Sequence, residues 1–62
     1  MRREYFIVAI EGEAYQFGNF KEALEKYYTL KALGYYEAVL RKHFNDGSRP
    51  LTYSDRAKCF FA

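Results

Sequence analysis

One cysteine, one proline, one histidine and no tryptophan occur among the 62 residues. A lone Cys59 excludes an internal disulfide. With His43 as the single histidine, the chain cannot assemble a thiolate- and imidazole-rich metal centre, so no metal and no cofactor is expected. Long apolar runs are missing too: residues 5–10 fall far short of the length that crosses a bilayer. Arg2 and Arg3 precede that stretch, but no small-residue cleavage signature follows it. An unpaired thiol without a disulfide framework suits a reducing compartment, so a cytoplasmic chain away from membranes is expected. An excess of one charge is also absent. Residues 1–34 hold five basic and five acidic side chains, and residues 35–62 hold five basic and three acidic, which accounts for the net +2. A strong nucleic-acid binder shows a denser basic stripe.

Aromatic residues are what the chain has in quantity: seven Tyr and six Phe. Each buries roughly 150–250 Å² when packed, a large payload for so short a chain, and disordered segments are poor in them. A chain this small nevertheless buries only about 60% of the surface its unfolded form exposes. It is expected to form a single small domain over residues 1–62, with dense packing or self-association supplying the stability that disulfides and metals would otherwise give.

Along the chain, residues 4–10 (EYFIVAI) predict a strand, being rich in β-branched and aromatic side chains. A tight connection at 11–13 leads into residues 14–17, where Tyr15 and Phe17 alternate with Ala14 and Gln16. A helix is predicted over 20–33: Asn19 can cap it, Glu22 stands where a capping box wants its acid, and Phe20, Ala23, Leu24, Tyr27 and Leu30 form an apolar stripe. Glu22 and Lys26 can pair at i,i+4 on the other side, and Gly34 followed by Tyr35 suits a Schellman ending at Leu30. Residues 35–44 fit two templates. As a helix, Tyr36, Val39, Leu40, His43 and Phe44 form a stripe, with Glu37 and Arg41 at i,i+4; as a strand, Tyr36, Ala38, Leu40 and Phe44 share a face with Lys42. The missing cap and the Asp46-Gly47 pair favour the strand and a hairpin. Pro50 would confine the return strand at 49–53 to an edge, and Ser54 can cap a short helix over 55–61. The expected fold is α+β: a small antiparallel sheet in ββαββ order on one helix, with a short C-terminal helix. The alternative is mainly helical, with a helix-turn-helix-like pair at 20–33 and 36–44.

A helix covers one face of a sheet, and the other should then be polar. Residues 4–10 break that rule, since Phe6, Val8 and Ile10 point one way while Tyr5, Ile7 and Ala9 point the other. On the second face residues 35–44 would add Tyr35 and Val39 beside Glu37, Arg41 and His43. Either the C-terminal segment folds across this surface, or another chain covers it. Contiguous exposed apolar surface marks interaction sites, and Tyr and Arg are enriched at binding hot spots. The expected function is therefore a non-catalytic protein-binding module, an inhibitor or adaptor of a larger protein, that also self-associates as a homodimer. Its binding residues would be Tyr5, Ile7, Tyr35, Val39 and Arg41, with Phe60 and Phe61 as a second patch. Phages and mobile elements commonly encode freestanding chains of this kind.

Enzyme chemistry finds little footing. No flanking signature makes a nucleophile of Ser48, Ser54 or Cys59, and nothing in the sequence places any of them beside His43. Glu11 and Glu13 straddle a turn and Glu22 and Glu25 lie on the polar side of the helix, where solvated carboxylates are the ordinary case. The isolated glycines form no phosphate-cradling loop. Nucleic acid is the rival partner: Arg2, Arg3, Arg41, Lys42 and Arg49 could align as a phosphate-contacting strip, with Tyr5 or Tyr35 offering stacking faces.

Overall fold

A computed structural model describes residues 3–62; Arg2, named above in the basic strip, lies outside them. Five strands and one helix follow one another as β1 (Glu4–Ile10), β2 (Glu13–Phe17), α1 (Phe20–Ala32), β3 (Val39–Phe44), β4 (Leu51–Ser54) and β5 (Cys59–Phe61). The strands form one sheet in the order β2-β1-β3-β4-β5, and every neighbouring pair is antiparallel. The expected small antiparallel sheet on one helix is therefore the architecture, and the mainly helical alternative is not. The second apolar stripe at 36–44 lost because a Glu37–Arg41 pair supplies only a few tenths of a kcal/mol. Without a cap, that cannot compete with the ladder that aligns β3 with β1 from Glu4↔Phe44 to Ala9↔Val39.

Local signals explain α1 at both ends. The Asn19 side chain accepts a hydrogen bond from the Glu22 backbone N–H at 2.9 Å, satisfying one of the donors that a helix start leaves bare. At the other end Tyr35 N–H donates to Leu30 O at 3.0 Å and Gly34 N–H to Lys31 O at 3.1 Å, the two bonds of a Schellman motif. Gly34 sits at φ +104°, which a side chain would strain. The chain then needs residues 35–38 to descend from the helix layer to the sheet. That is why β3 starts at Val39 and Tyr35 lies outside it.

Two further expectations are corrected at the C-terminus. Residues 55–61 are not a helix. Ser54 does act as a cap, its hydroxyl accepting from Ala57 N–H at 3.2 Å, but Lys58 N–H turns back to Ser54 O at 2.7 Å and Lys58 adopts φ +58°. The chain reverses there, and residues 59–61 pair with β4. The free edge of β4 offered backbone partners that so short a helix could not match, since helix nucleation is costly. Nor does Pro50 hold its strand at an edge. β4 lies between β3 and β5 and begins at Leu51, so the N–H that proline lacks is not one the ladder needs.

The core lies between α1 and one face of the sheet: Phe6, Val8, Ala23, Tyr27, Leu30, Ala38, Leu40 and Tyr53. Val8 and Leu40, opposite one another on β1 and β3, are fully enclosed. A helix is about 10 Å across, whereas five strands at about 4.8 Å spacing span roughly 20 Å, so α1 alone cannot roof the sheet. It packs on β1, β2 and β3, and rings fill the rest. Phe20 stands 5.7 Å from Tyr53 and 5.6 Å from Phe60, and Tyr53 and Phe60 are 5.2 Å apart, in tilted or edge-on pairs. Such pairs add about 0.5–1.5 kcal/mol each beyond the area they bury.

Leu40→Ala should cost about 2–5 kcal/mol. That is about half of the roughly 3–9 kcal/mol a chain this size holds, so urea titration should find the unfolding midpoint of the variant lowered to about half its original value. Asn19→Ala should cost about 1 kcal/mol and lower Tm by roughly 4–8 °C in a calorimetric scan.

Candidate functional site

Strand alternation and pairing register divide the side chains of the sheet into two sets. Beneath the helix lie Phe6, Val8 and Ile10 with their partners Phe17, Tyr15, Glu13, Lys42 and Leu40. Turned away from it are Tyr5, Ile7 and Ala9 of β1, Ala14 and Gln16 of β2, Val39, Arg41 and His43 of β3, Thr52 and Ser54 of β4, and Cys59 and Phe61 of β5. α1 and the aromatic cluster are both on the other side; within this second set Tyr5, Ile7, Ala9 and Val39 are half-buried, and Arg41, Thr52 and Phe61 are exposed.

Cross-strand pairing sets this open face out in rows. One row runs Gln16, Ile7, Arg41, Thr52, Phe61 across all five strands. A second joins Ala14, Ala9 and Val39. In a third, Tyr5 meets His43, their rings stacked at 5.3 Å with planes 18° apart. The middle of the face is aliphatic, built from Ile7, Ala9 and Val39, with Arg41 on the central strand beside it. Phe61 is 51% exposed at the edge.

The expected binding residues thus divide. Tyr5, Ile7, Val39, Arg41 and Phe61 come together on the open face. Tyr35 does not join them on a strand: it lies in the connection from α1 to β3, 43% exposed, close enough to Tyr15 for its phenol to affect that residue's titration. Phe60 sits on the helix side of the sheet within the aromatic cluster, so Phe60 and Phe61 are not one patch; adjacent residues in a strand point to opposite faces. Cys59 on the open face was missed, because a helix at 55–61 removes the ladder with β4 that places it, and Thr52 is set there by its pairing with Arg41.

The basic strip also divides. Arg41 is exposed on the open face and forms no ion pair among the described residues. Lys42 is on the opposite face, 3.7 Å from the Glu4 carboxylate and 4.7 Å from the centre of the Phe60 ring. Arg49 is in the exposed β3–β4 connection. Arg3, just ahead of β1, is tied to Asn45 by two hydrogen bonds, its N–H donating to the Asn45 side-chain oxygen at 3.0 Å and its carbonyl accepting from Asn45 N–H at 3.1 Å. Lysines on the helix side are likewise drawn onto rings. Lys26 lies 4.4 Å from the centre of Tyr15 in place of the expected pair with Glu22, and Lys31 lies 4.9 Å from Tyr27.

Away from the open face, one polar cluster holds the β4–β5 turn against α1. Tyr28 donates its hydroxyl hydrogen to Asp55 at 2.7 Å, and Lys58 donates to Tyr28 at 3.0 Å and to Asp55 at 3.1 Å. The hydrogen bond from Tyr28, followed by that from Lys58, holds the Asp55 carboxyl below its ordinary range. Tyr28 and then Asp55 raise the Lys58 ammonium. For Tyr28 itself the Lys58 ammonium pulls downward, but Asp55 and Tyr53 outweigh it and leave the phenol above its usual value. On the other edge of the sheet, the Tyr15 phenol is raised chiefly by its hydrogen bond to the Glu13 carboxylate.

Because the folded value of Asp55 is depressed, its contribution is present above the unfolded carboxylate range and lost as pH falls through the folded value. Lys58 has the opposite sense: its contribution holds below the unfolded lysine value and fades as pH rises through the raised one. Carbon-detected NMR titration should give Asp55 a midpoint below ordinary aspartate. Tyr28→Phe should move that midpoint back further than Lys58→Met, since the phenol is the larger cause. Comparison of the chain with protein-family models, curated proteins and solved structures finds no match, so this surface is interpreted from its own chemistry.

Proposed function

We propose that this chain is a non-catalytic protein-binding module, an inhibitor or adaptor of a larger protein, and that the uncovered face of its sheet is the docking surface. One observation carries the reading: a five-stranded sheet has its helix and its aromatic cluster on one side, leaving Tyr5, Ile7, Ala9, Val39 and Phe61 on the other. Antiparallel sheets that face water on one side alternate apolar with polar residues, and β1 does not. Ile7 and Val39 lie near Arg41, with Tyr5 and Phe61 towards the margins. This is the composition of an interface core, where aromatic side chains and Arg are enriched and other charges are scarce.

Nucleic acid is the second reading, because Arg41 stands on that face without an acid to pair with. The fold lends it little support. Lys42 points to the other face, and the Tyr5 ring spends one of its sides on His43, leaving less π-surface for a base than a stacking platform needs. No helix among the described residues is long and apolar enough to cross a membrane.

A photo-activated benzoylphenylalanine placed at Ile7 or Val39, in cells that naturally carry the chain, tests the reading. The same group at Thr29, on the exposed side of α1, is the control. Irradiation should give one discrete protein adduct from the two sheet positions and none from Thr29. Adducts that vanish on nuclease treatment, or labelling equal at all three positions, would overturn the proposal. Ile7→Ser and Val39→Ser should each weaken capture about tenfold or more while leaving the circular dichroism spectrum unchanged, since neither residue belongs to the helix-side core.

A further inference from the structure

Acidic side chains are confined to one side of the sheet and its connections. The acidic residues are Glu4, Glu11, Glu13, Glu22, Glu25, Glu37, Asp46 and Asp55. Glu4 and Glu13 point to the helix side, Glu22 and Glu25 are on α1, and the other four are in turns and connections. None occupies a strand position on the open face. That face instead carries Arg41 on its central strand, with Ile7 and Thr52 on either side and His43 two residues further along. Whatever covers Ile7 and Val39 must also cover Arg41. A guanidinium taken out of water without a partner costs several kcal/mol, whereas a bidentate carboxylate satisfies it in a fixed geometry.

We infer that the occupant of the open face is an acidic protein surface, one that sets a carboxylate against Arg41 and an aliphatic side chain against Ile7 and Val39. This inference rests on the face being a docking surface, and it names the chemistry of what docks. A second copy of this chain is a poor occupant. In a two-fold stack of the open faces neither copy could offer the other's Arg41 a carboxylate, because no acid occupies a strand position on that face, and both guanidiniums would be buried unpaired. Single-stranded nucleic acid would satisfy Arg41 with a phosphate. It has no use for the aliphatic centre, however, and it finds few further cations on this side now that Lys42 is engaged with Glu4 and Phe60 on the other.

The test is an NMR titration of the isotope-labelled full chain with three probes: a synthetic peptide of alternating Glu and Leu, its counterpart of alternating Lys and Leu, and oligothymidylate. A dilution series of the chain alone accompanies them. The Glu-Leu peptide should shift Ile7, Val39, Arg41 and Thr52 while leaving Val8 and Leu40 in place, and its binding should weaken steeply with added salt. Arg41→Glu should reverse the preference in favour of the Lys-Leu peptide, a gain that a misfolded variant would not show. Equal or tighter binding of the Lys-Leu peptide by the unaltered chain would overturn the inference. So would oligothymidylate on the face in preference to the Glu-Leu peptide, or a dimer through the face that persists on dilution. All three would leave the docking role standing. If no probe moves the open face and the photo-crosslinks at Ile7 and Val39 also fail, the inference and the docking role fall together.

Discussion

Val8 and Leu40 face one another across the two strands nearest the middle of the sheet, directly beneath the helix, and the division of inside from outside follows from that pair. Side chains alternate along a strand, so enclosing Val8 turns Tyr5, Ile7 and Ala9 outward, and enclosing Leu40 does the same to Val39, Arg41 and His43. A register slip of one residue would exchange the two sets. The ladder carries the decision outward, through Thr52 on β4 to Phe61 on β5 and through Gln16 on β2. One packing contact, repeated by alternation, thereby fixes the composition of a surface that the helix never touches.

The aromatic residues have two structural fates. Phe6, Phe20, Tyr53 and Phe60, with Tyr27 against Tyr53, make a continuous cluster that extends the roof beyond the reach of a single helix. This also settles how a chain with a thin core holds a fifth strand: Phe60 is fastened to Phe20 and Tyr53 at the same time as β5 pairs with β4. Phe61, one residue on, receives none of this packing. The contrast between two neighbouring phenylalanines is the plainest sign that the open face differs from the closed one in kind.

Much of this was legible in the residues. The limits of α1, its cap at Asn19, its Schellman ending at Gly34 and the two-sided apolar character of residues 4–10 all rest on local rules, and those rules held. The reading failed where a segment's neighbours in space outweigh its own pattern. Ser54 carries the same signal whether it opens a helix or a tight turn, and the choice fell to the vacant edge of β4, which no window of sequence displays. Tyr35 was misplaced for a related reason: the distance between the helix layer and the sheet layer must be crossed by some residues, and 35–38 are the ones available. Of the candidate site, the members on β1 and β3 could be found by alternation alone, while Thr52 and Cys59 needed the ladder.

The order of the strands has a consequence for how quickly the chain reaches its native state. Three of the four pairings join strands consecutive in sequence and can close through short turns on a microsecond scale. The pairing of β1 with β3 is different, for it must enclose β2 and the whole of α1 in one long loop, and the entropy lost in that closure precedes any gain from contacts. Early formation of the capped helix shortens the span to be searched. The closure that brings β1 to β3 is thus the topological event that weighs most on the rate of folding.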